Sequence, residues 1–203
     1  MKINLPNQIT LGRLALAIVF FVLLAQFHIR QPQIWLLDLC FGIFIVAAMT
    51  DWLDGYLARK HNQVTAFGRV LDPFVDKVLV CGTFVFLAGP AFVNEAGKNV
   101  TYVAPWMVVV IIGRELLVTG LRGFSESKGT AFGASVYGKA KMVVQSITAP
   151  TLIMFVAHID ETAAGPSWVW VKITLVWLTV LITTLSMVFY IIQAKHILLE
   201  AAN

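Results

Sequence analysis

Six long apolar stretches divide this chain of 203 residues, and they constrain its fold more than any other feature. Hydrophobic residues make up 59% of the sequence and charged residues only 13%, a composition typical of a membrane protein. A helix of about 20 apolar residues crosses a bilayer, because it satisfies its own backbone hydrogen bonds. The predicted spans are approximately Ile9–Phe27, Ile34–Leu57, Val70–Gly89, Tyr102–Leu121, Met142–His158 and Trp168–Ile192. We therefore predict an all-α, polytopic membrane helical bundle with six transmembrane helices, forming a single domain over residues 1–203.

The distribution of basic residues predicts the orientation of this bundle. An even number of spans places both termini on the same side of the membrane. The Lys and Arg residues on that side are Lys2, Arg13, Arg59, Lys60, Arg69, Lys77, Arg114, Arg122, Lys128, Lys139, Lys141 and Lys195. Only Arg30, Lys98 and Lys172 fall on the other side. Because cytoplasmic loops carry the excess of Lys and Arg, we predict cytoplasmic termini and an inner-membrane location.

Four aspartates cluster at the polar ends of the second and third spans. Asp51 and Asp54 are three residues apart, and Asp72 and Asp76 are four apart, so each pair shares one face of a helix. Two such helices can direct four carboxylates into one cleft facing the cytoplasm. Negative charges this close repel unless cations or protons intervene, and hard divalent ions are the usual solution. The alternative is a pair of helix ends whose acids merely face the cytosol, which is uncommon for carboxylates in membrane helices.

The segment from Asp51 to Asp76 reads D-x-x-D-G-x-x-A-R-x8-G-x-x-x-D-x-x-x-D and is similar to the signature of the CDP-alcohol phosphotransferase family. This resemblance implies transfer of a phosphatidyl group from CDP-diacylglycerol to an alcohol, with release of CMP. It implies two Mg²⁺ or Mn²⁺ ions bound by Asp51, Asp54, Asp72 and Asp76. It also implies that Asp76 is the catalytic residue and accepts the proton of the attacking hydroxyl.

The same resemblance predicts the residues that bind CDP-diacylglycerol. Gly55, Arg59 and Thr65 match positions that contact the nucleotide in family members. A glycine lets the nucleotide approach the backbone, and an arginine pairs with diphosphate oxygens.

A polar stripe on the first helix has two possible explanations. Asn7, Thr10 and Arg13 recur every three residues there. The stripe either faces the nucleotide site or caps the helix and reaches toward the membrane interface.

Basic residues at the cytoplasmic ends of the fourth and fifth spans predict an acceptor site. They are Arg114, Arg122, Lys139 and Lys141. The tracts that contain them resemble those of the family branch that uses sn-glycerol 3-phosphate, which implies that they bind the acceptor phosphate. In the alternative explanation Arg114 pairs with Glu115 or an aspartate, and the lysines bind lipid headgroups.

Two other functions remain open at the level of sequence. A sister enzyme would use inositol phosphate or another polar alcohol, and a cation transporter would use the carboxylates as an ion site. A transporter is expected to show inverted repeats and helices broken at the midplane, whereas these acids cluster at one face. The expected partners are CDP-diacylglycerol, glycerol 3-phosphate and membrane lipids, with no nucleic acid. The resemblance also implies a homodimer.

Overall fold

The computed structural model describes residues 5–61, 66–127, 135–159 and 165–201, and the side chains of residues 8–50, 71–127, 135–159 and 165–195. These residues form six α-helices, α1 to α6, and one short 3-10 helix between α3 and α4. The α-helices are Leu5–Gln26, Ile34–His61, Ala66–Leu87, Pro105–Ser127, Val136–His158 and Pro166–Ala201. The described residues contain no strand beyond one isolated bridge. The predicted all-α bundle is confirmed.

Local sequence signals explain where the later helices begin. Pro105 and Pro166 are the first residues of α4 and α6, where a proline loses no helical hydrogen bond. Ser135 caps α5, because its Oγ accepts a hydrogen bond of 3.0 Å from the backbone N–H of Gly138. The first turn of α5 thereby places Lys139 and Lys141 at a defined position.

The packing of the helices places α3 at the centre of the functional region. α1 packs against α2 and α3, while α5 packs against α2, α3 and α6. α4 packs against α3 and α6. Aromatic rings fill part of the core: Phe20 lies 6.0 Å from Phe44, and Phe27 lies 5.1 Å from Phe92. The helix that carries Asp72 therefore contacts α1, α4 and α5.

Among the residues whose side chains the structure describes, three helices are long and apolar enough to cross a membrane by length and composition. They contain Gln8–Gln26, Val136–His158 and Pro166–Lys195. Within its described side chains, α2 contributes the shorter apolar stretch Ile34–Thr50. Charged side chains interrupt α3 and α4, and in membrane proteins such groups face the interior of the bundle. The helices are consistent with a helical membrane bundle, and the side on which the termini lie stays a prediction.

Candidate active site

A cavity of about 610 Å³ lies between α3, α4 and α5. Its acidic lining residues are Asp72, Asp76, Glu115 and Glu126. Its basic lining residues are Lys77, Arg114, Arg122, Lys139 and Lys141. The structure thus brings the second aspartate pair of the signature together with all four residues predicted to bind the acceptor phosphate.

Asp72 is held by two residues of α1. Thr10 Oγ1 donates a hydrogen bond of 2.5 Å to Asp72 Oδ1, and Arg13 Nη2 lies 3.4 Å from the same oxygen. Thr10 and Arg13 are only 0% and 2% exposed. Thr10 and Arg13 therefore face the signature aspartate and do not reach toward the membrane interface. The side chain of Asn7, the third member of the stripe, lies outside the described residues.

Asp76 lies one helical turn beyond Asp72 and is half-buried. It lines the main cavity and also two much smaller cavities. Two carboxylates on one helix face, beside an open cavity, are the kind of oxygen donors that Mg²⁺ and Mn²⁺ prefer. Within the part of the chain that the structure describes, no group of three or more His, Cys, Asp or Glu side chains could hold a metal ion. The four-carboxylate metal site stays a prediction.

The first half of the signature is described only in its backbone. α2 is helical throughout the segment that carries Asp51, Asp54, Gly55 and Arg59, as their spacing predicted. Their side chains, and the whole of Thr65, lie outside the described residues. The metal and nucleotide roles of these five residues stay predictions.

A buried ionic cluster forms one wall of the cavity. Arg114 Nη1 donates a hydrogen bond of 3.0 Å to Glu115 Oε1, and Lys141 Nζ donates to the same oxygen. Arg114 Nη2 also donates to Ser186 Oγ of α6 at 2.7 Å. Arg114, Glu115 and Lys141 are 3%, 5% and 8% exposed, so their charges compensate one another in the interior. The pairing of Arg114 with Glu115, one part of the alternative explanation, is confirmed, whereas the binding of lipid headgroups by the lysines stays a prediction. The cluster keeps one net positive charge beside the cavity.

Arg122 and Lys139 are the more exposed cations of the cavity. Arg122 Nη2 donates a hydrogen bond of 2.8 Å to Tyr190 Oη. Tyr190 is fully buried and lies toward the end of α6 that is predicted to face the cytoplasm. Lys77, which follows Asp76, donates from Nζ to Thr119 Oγ1 at 2.6 Å. These contacts fix the directions of two of the cavity's cations.

Sequence reasoning missed the contribution of α6 altogether. The helix carries a polar stripe of Thr179, Thr183, Ser186 and Tyr190 within an otherwise apolar run, and all four are buried. Their spacing of three and four residues puts them on one helix face. Gln145 Nε2 donates to Thr183 Oγ1 at 3.0 Å, so the stripe packs against α5. Its helical period in the sequence was the signal that could have placed α6 beside the site.

The profile of the CDP-alcohol phosphatidyltransferase family matches residues 3–191. A CDP-diacylglycerol–glycerol-3-phosphate 3-phosphatidyltransferase from Bacillus subtilis is 38% identical over 158 residues, which cover 74% of this chain and 77% of that protein. The protein of the same name from Pectobacterium atrosepticum is 33% identical, with 98% of this chain and 100% of the relative covered. A cardiolipin synthase (CMP-forming) from Oryza sativa subsp. japonica is 33% identical over 98% of this chain and 59% of that protein. The chain therefore belongs to the CDP-alcohol phosphatidyltransferase family.

Proposed function

We propose that this protein is a membrane phosphatidyltransferase that moves the phosphatidyl group of CDP-diacylglycerol to sn-glycerol 3-phosphate, giving phosphatidylglycerol phosphate and CMP. The observation that carries the proposal is the single cavity lined by Asp72 and Asp76 on one wall and by the basic residues of α4 and α5 on the other. An acceptor alcohol that itself bears a phosphate needs cations of its own, because the carboxylates repel its negative charge. The relatives named for this reaction support the same acceptor.

The reaction assigns a defined task to the aspartates. The acceptor hydroxyl oxygen forms a bond to the phosphorus of the phosphatidyl group, and the bond from that phosphorus to the oxygen of CMP breaks. The hydroxyl proton passes to the Asp76 carboxylate, which lines the cavity. When bound by the four signature aspartates, two Mg²⁺ or Mn²⁺ ions would neutralise the diphosphate charge and stabilise the leaving CMP. The contacts from Thr10 and Arg13 orient Asp72 for that purpose.

The nucleotide and acceptor ends of the site use different residues. Gly55, Arg59 and Thr65 hold CDP-diacylglycerol in this proposal. The acceptor phosphate, with nearly two negative charges, binds Arg122 and Lys139 directly, because both face the cavity and are the least buried of its four candidate cations. Arg114 and Lys141 share Glu115 and supply the remaining positive charge behind them.

The proposed setting is the inner membrane, with a single domain over residues 1–203, six spans and both termini in the cytoplasm. The excess of Lys and Arg at the cavity end of the bundle supports this orientation. A soluble acceptor then reaches the cavity from the cytoplasm, while CDP-diacylglycerol enters from the lipid phase. We also propose a homodimer, on the strength of the family resemblance.

The direct test is CMP release by the purified protein in detergent, with CDP-diacylglycerol, Mg²⁺ and one of three acceptors. The acceptors are glycerol 3-phosphate, inositol phosphate and phosphatidylglycerol, the last because one relative is named a CMP-forming cardiolipin synthase. We expect release with glycerol 3-phosphate and its loss in excess EDTA. A preference for either other acceptor contradicts the proposed substrate. Absence of release with all three, together with cation flux in proteoliposomes, would favour the transporter alternative.

Replacement of Asp76 by Asn tests the catalytic assignment. A general base contributes about 10²–10⁴-fold, so Asp76→Asn is expected to reduce turnover by at least that factor while CDP-diacylglycerol still binds. Asp38→Asn is the matched control, because Asp38 is exposed near the start of α2 and pairs with His158, away from the cavity. Near-normal turnover of a folded Asp76→Asn protein would remove Asp76 from the mechanism.

A further inference from the structure

We infer that Tyr190 of α6 is a positioning residue for the acceptor, because its hydroxyl holds Arg122 at the cavity before substrate binds. The inference rests on the proposed function and extends it to a helix that carries none of the family signature. Tyr190 does not line the cavity itself, so its effect on the acceptor passes through Arg122.

The Tyr190 hydroxyl joins three helices at one oxygen atom. Arg122 Nη2 of α4 donates to Tyr190 Oη at 2.8 Å, and the backbone N–H of Ser135 donates to the same oxygen at 3.3 Å. Ser135 is the N-cap of α5. Tyr190 is 0% exposed, so this oxygen is fixed by packing on every side. The position of Arg122 is thereby tied to the start of α5.

The ring of Tyr190 adds a second contact with the cavity's arginines. The guanidinium carbons of Arg114 and Arg122 lie 5.4 and 5.5 Å from the ring centre. Cations within about 6 Å of an aromatic ring are attracted by its electron-rich face. One buried side chain of α6 therefore contacts two of the four candidate acceptor-binding residues.

The Tyr190 hydroxyl lies so close to the backbone of residue 138 that this residue, which precedes Lys139, has to be glycine. A Cβ atom on Gly138 would lie only 2.7 Å from Tyr190 Oη, closer than real Cβ contacts. It would also lie 3.3 Å from Ser135 Oγ. Only glycine at position 138 lets the Tyr190 hydroxyl approach the first turn of α5 this closely. Lys139 of that turn and Lys141 of the next both line the cavity.

The physical benefit is pre-organisation of an exposed arginine. A free arginine side chain samples many rotamers, and ordering it on binding reduces affinity. Tyr190 restricts Arg122 to one direction before the acceptor arrives, while the other N–H groups of the guanidinium remain able to bind phosphate oxygens. Loss of the hydroxyl should therefore weaken acceptor binding without changing the chemical step.

The test compares Tyr190→Phe with Tyr137→Phe in the CMP-release assay. Tyr190→Phe removes the hydroxyl and keeps the ring beside both arginines. Immobilising one such side chain changes affinity about 2- to 10-fold, so we expect the KM for glycerol 3-phosphate to rise by that factor. We expect kcat and the KM for CDP-diacylglycerol to stay within about twofold of wild type. Tyr137 is the control, because it is exposed on α5 and its ring contacts Phe189.

Two double variants separate positioning from a general loss of packing. In an Arg122→Gln background, Tyr190→Phe should raise the acceptor KM no further, because the residue it positions is gone. Gly138→Ala should impair acceptor use in wild type. In a Tyr190→Phe background it should add less, since the closest neighbour of its Cβ, the hydroxyl at 2.7 Å, is absent and the remaining neighbours lie at 3.3 Å or more. Equal effects of Tyr190→Phe and Tyr137→Phe, additive effects with Arg122→Gln, or a change in kcat alone would overturn the inference. Activity of the wild type with glycerol 3-phosphate, measured in the same series, tests the proposed function separately.

Discussion

At the scale of single residues, the orientation of the signature aspartate Asp72 depends on side chains of α1, a helix far away in the sequence. Thr10 and Arg13 come from α1, and the oxygen that they contact belongs to Asp72 of α3. Both α1 residues are buried, whereas the Asp72 side chain is 39% exposed toward the cavity, so the α1 side of the contact is the one shielded from water. A carboxylate oriented in this way presents its second oxygen in a restricted direction, which favours defined coordination of a metal ion.

Replacement of Thr10 by Val tests this orientation. Valine keeps the shape of threonine but removes the donor to Asp72. A hydrogen bond to a charged group contributes about 1.5–3 kcal/mol, so we expect the Mg²⁺ concentration for half-maximal activity to rise about tenfold or more. The control is Thr83→Val, because Thr83 is equally buried in α3 but donates only within its own helix, to Leu79 O. A Mg²⁺ titration identical for both variants would contradict the role of Thr10.

The exposed cations of the cavity define a second prediction at this scale. Arg122→Gln and Lys139→Gln each remove one charge that faces the proposed acceptor phosphate. Loss of a charge-assisted contact costs about 1.5–3 kcal/mol, so the KM for glycerol 3-phosphate should rise roughly 10- to 100-fold. The KM for CDP-diacylglycerol should change little, as measured by varying each substrate separately. If the two residues bind only lipid headgroups, the acceptor KM will stay unchanged or both KM values will change alike.

At the scale of secondary-structure elements, Glu115 links α4 to α5, and its neighbour Arg114 links α4 to α6. The carboxylate of Glu115 accepts hydrogen bonds from Arg114 and Lys141, and Arg114 continues the network to Ser186. One turn further along α5 from Lys141, Gln145 forms a further contact with Thr183 of α6. In a membrane, such polar contacts hold helices together where lipid tails compete with apolar packing. Arg114, Glu115 and Lys141 of the same network also line the cavity.

Replacement of Glu115 by Gln should therefore affect stability as well as activity. The change leaves two buried cations without their shared anion, and breaking a buried ion pair costs up to about 3–5 kcal/mol. We expect a clearly lower midpoint of thermal unfolding in detergent. Glu126→Gln is the control, because Glu126 also lines the cavity but is exposed. Equal unfolding midpoints for the two variants would show that the cluster does not stabilise the bundle.

The whole molecule places its charged cavity at one end of an apolar bundle. Hydrophobic side chains such as Val109 and Leu116 are 69% exposed on the outer surface of α4, as expected of helices that face lipid. Arg114 and Glu115, on the same helix, point inward instead. This division lets α4 lie in a membrane although it carries several charges.

The predicted orientation is testable with single cysteines at two exposed positions. Glu95 lies between α3 and α4, on the predicted outer side, and Ser127 is the last residue of α4, on the predicted cytoplasmic side. A membrane-impermeant thiol reagent added to intact cells should label Glu95→Cys and should reach Ser127→Cys only after permeabilisation. A background without Cys40 and Cys81 serves as the unlabelled control. The reverse pattern would overturn the orientation and the delivery of acceptor from the cytoplasm.

The sequence by itself determined the helical class, the approximate limits of the helices and the family. Each of these properties depends on residues near one another along the chain. An apolar run must form a helix in lipid because its backbone groups need partners, and the aspartate spacing follows from the helical repeat. The prediction for the last helix was the least accurate, because α6 continues to Ala201 whereas the predicted span ends at Ile192.

Only the tertiary structure decided which faces of the helices meet. The α1 stripe had two explanations until Thr10 and Arg13 were found against Asp72, and the partner of Arg114 was open until Glu115 and Ser186 were found beside it. The polar stripe of α6 marked the face that carries Tyr190, but the partner of Tyr190 was known only once Arg122 was found against its hydroxyl. These contacts join residues about 60 or more positions apart, except for Arg114 and its neighbour Glu115. The rotation of each helix about its axis is set by packing against all its neighbours at once, and no short stretch of sequence contains that information.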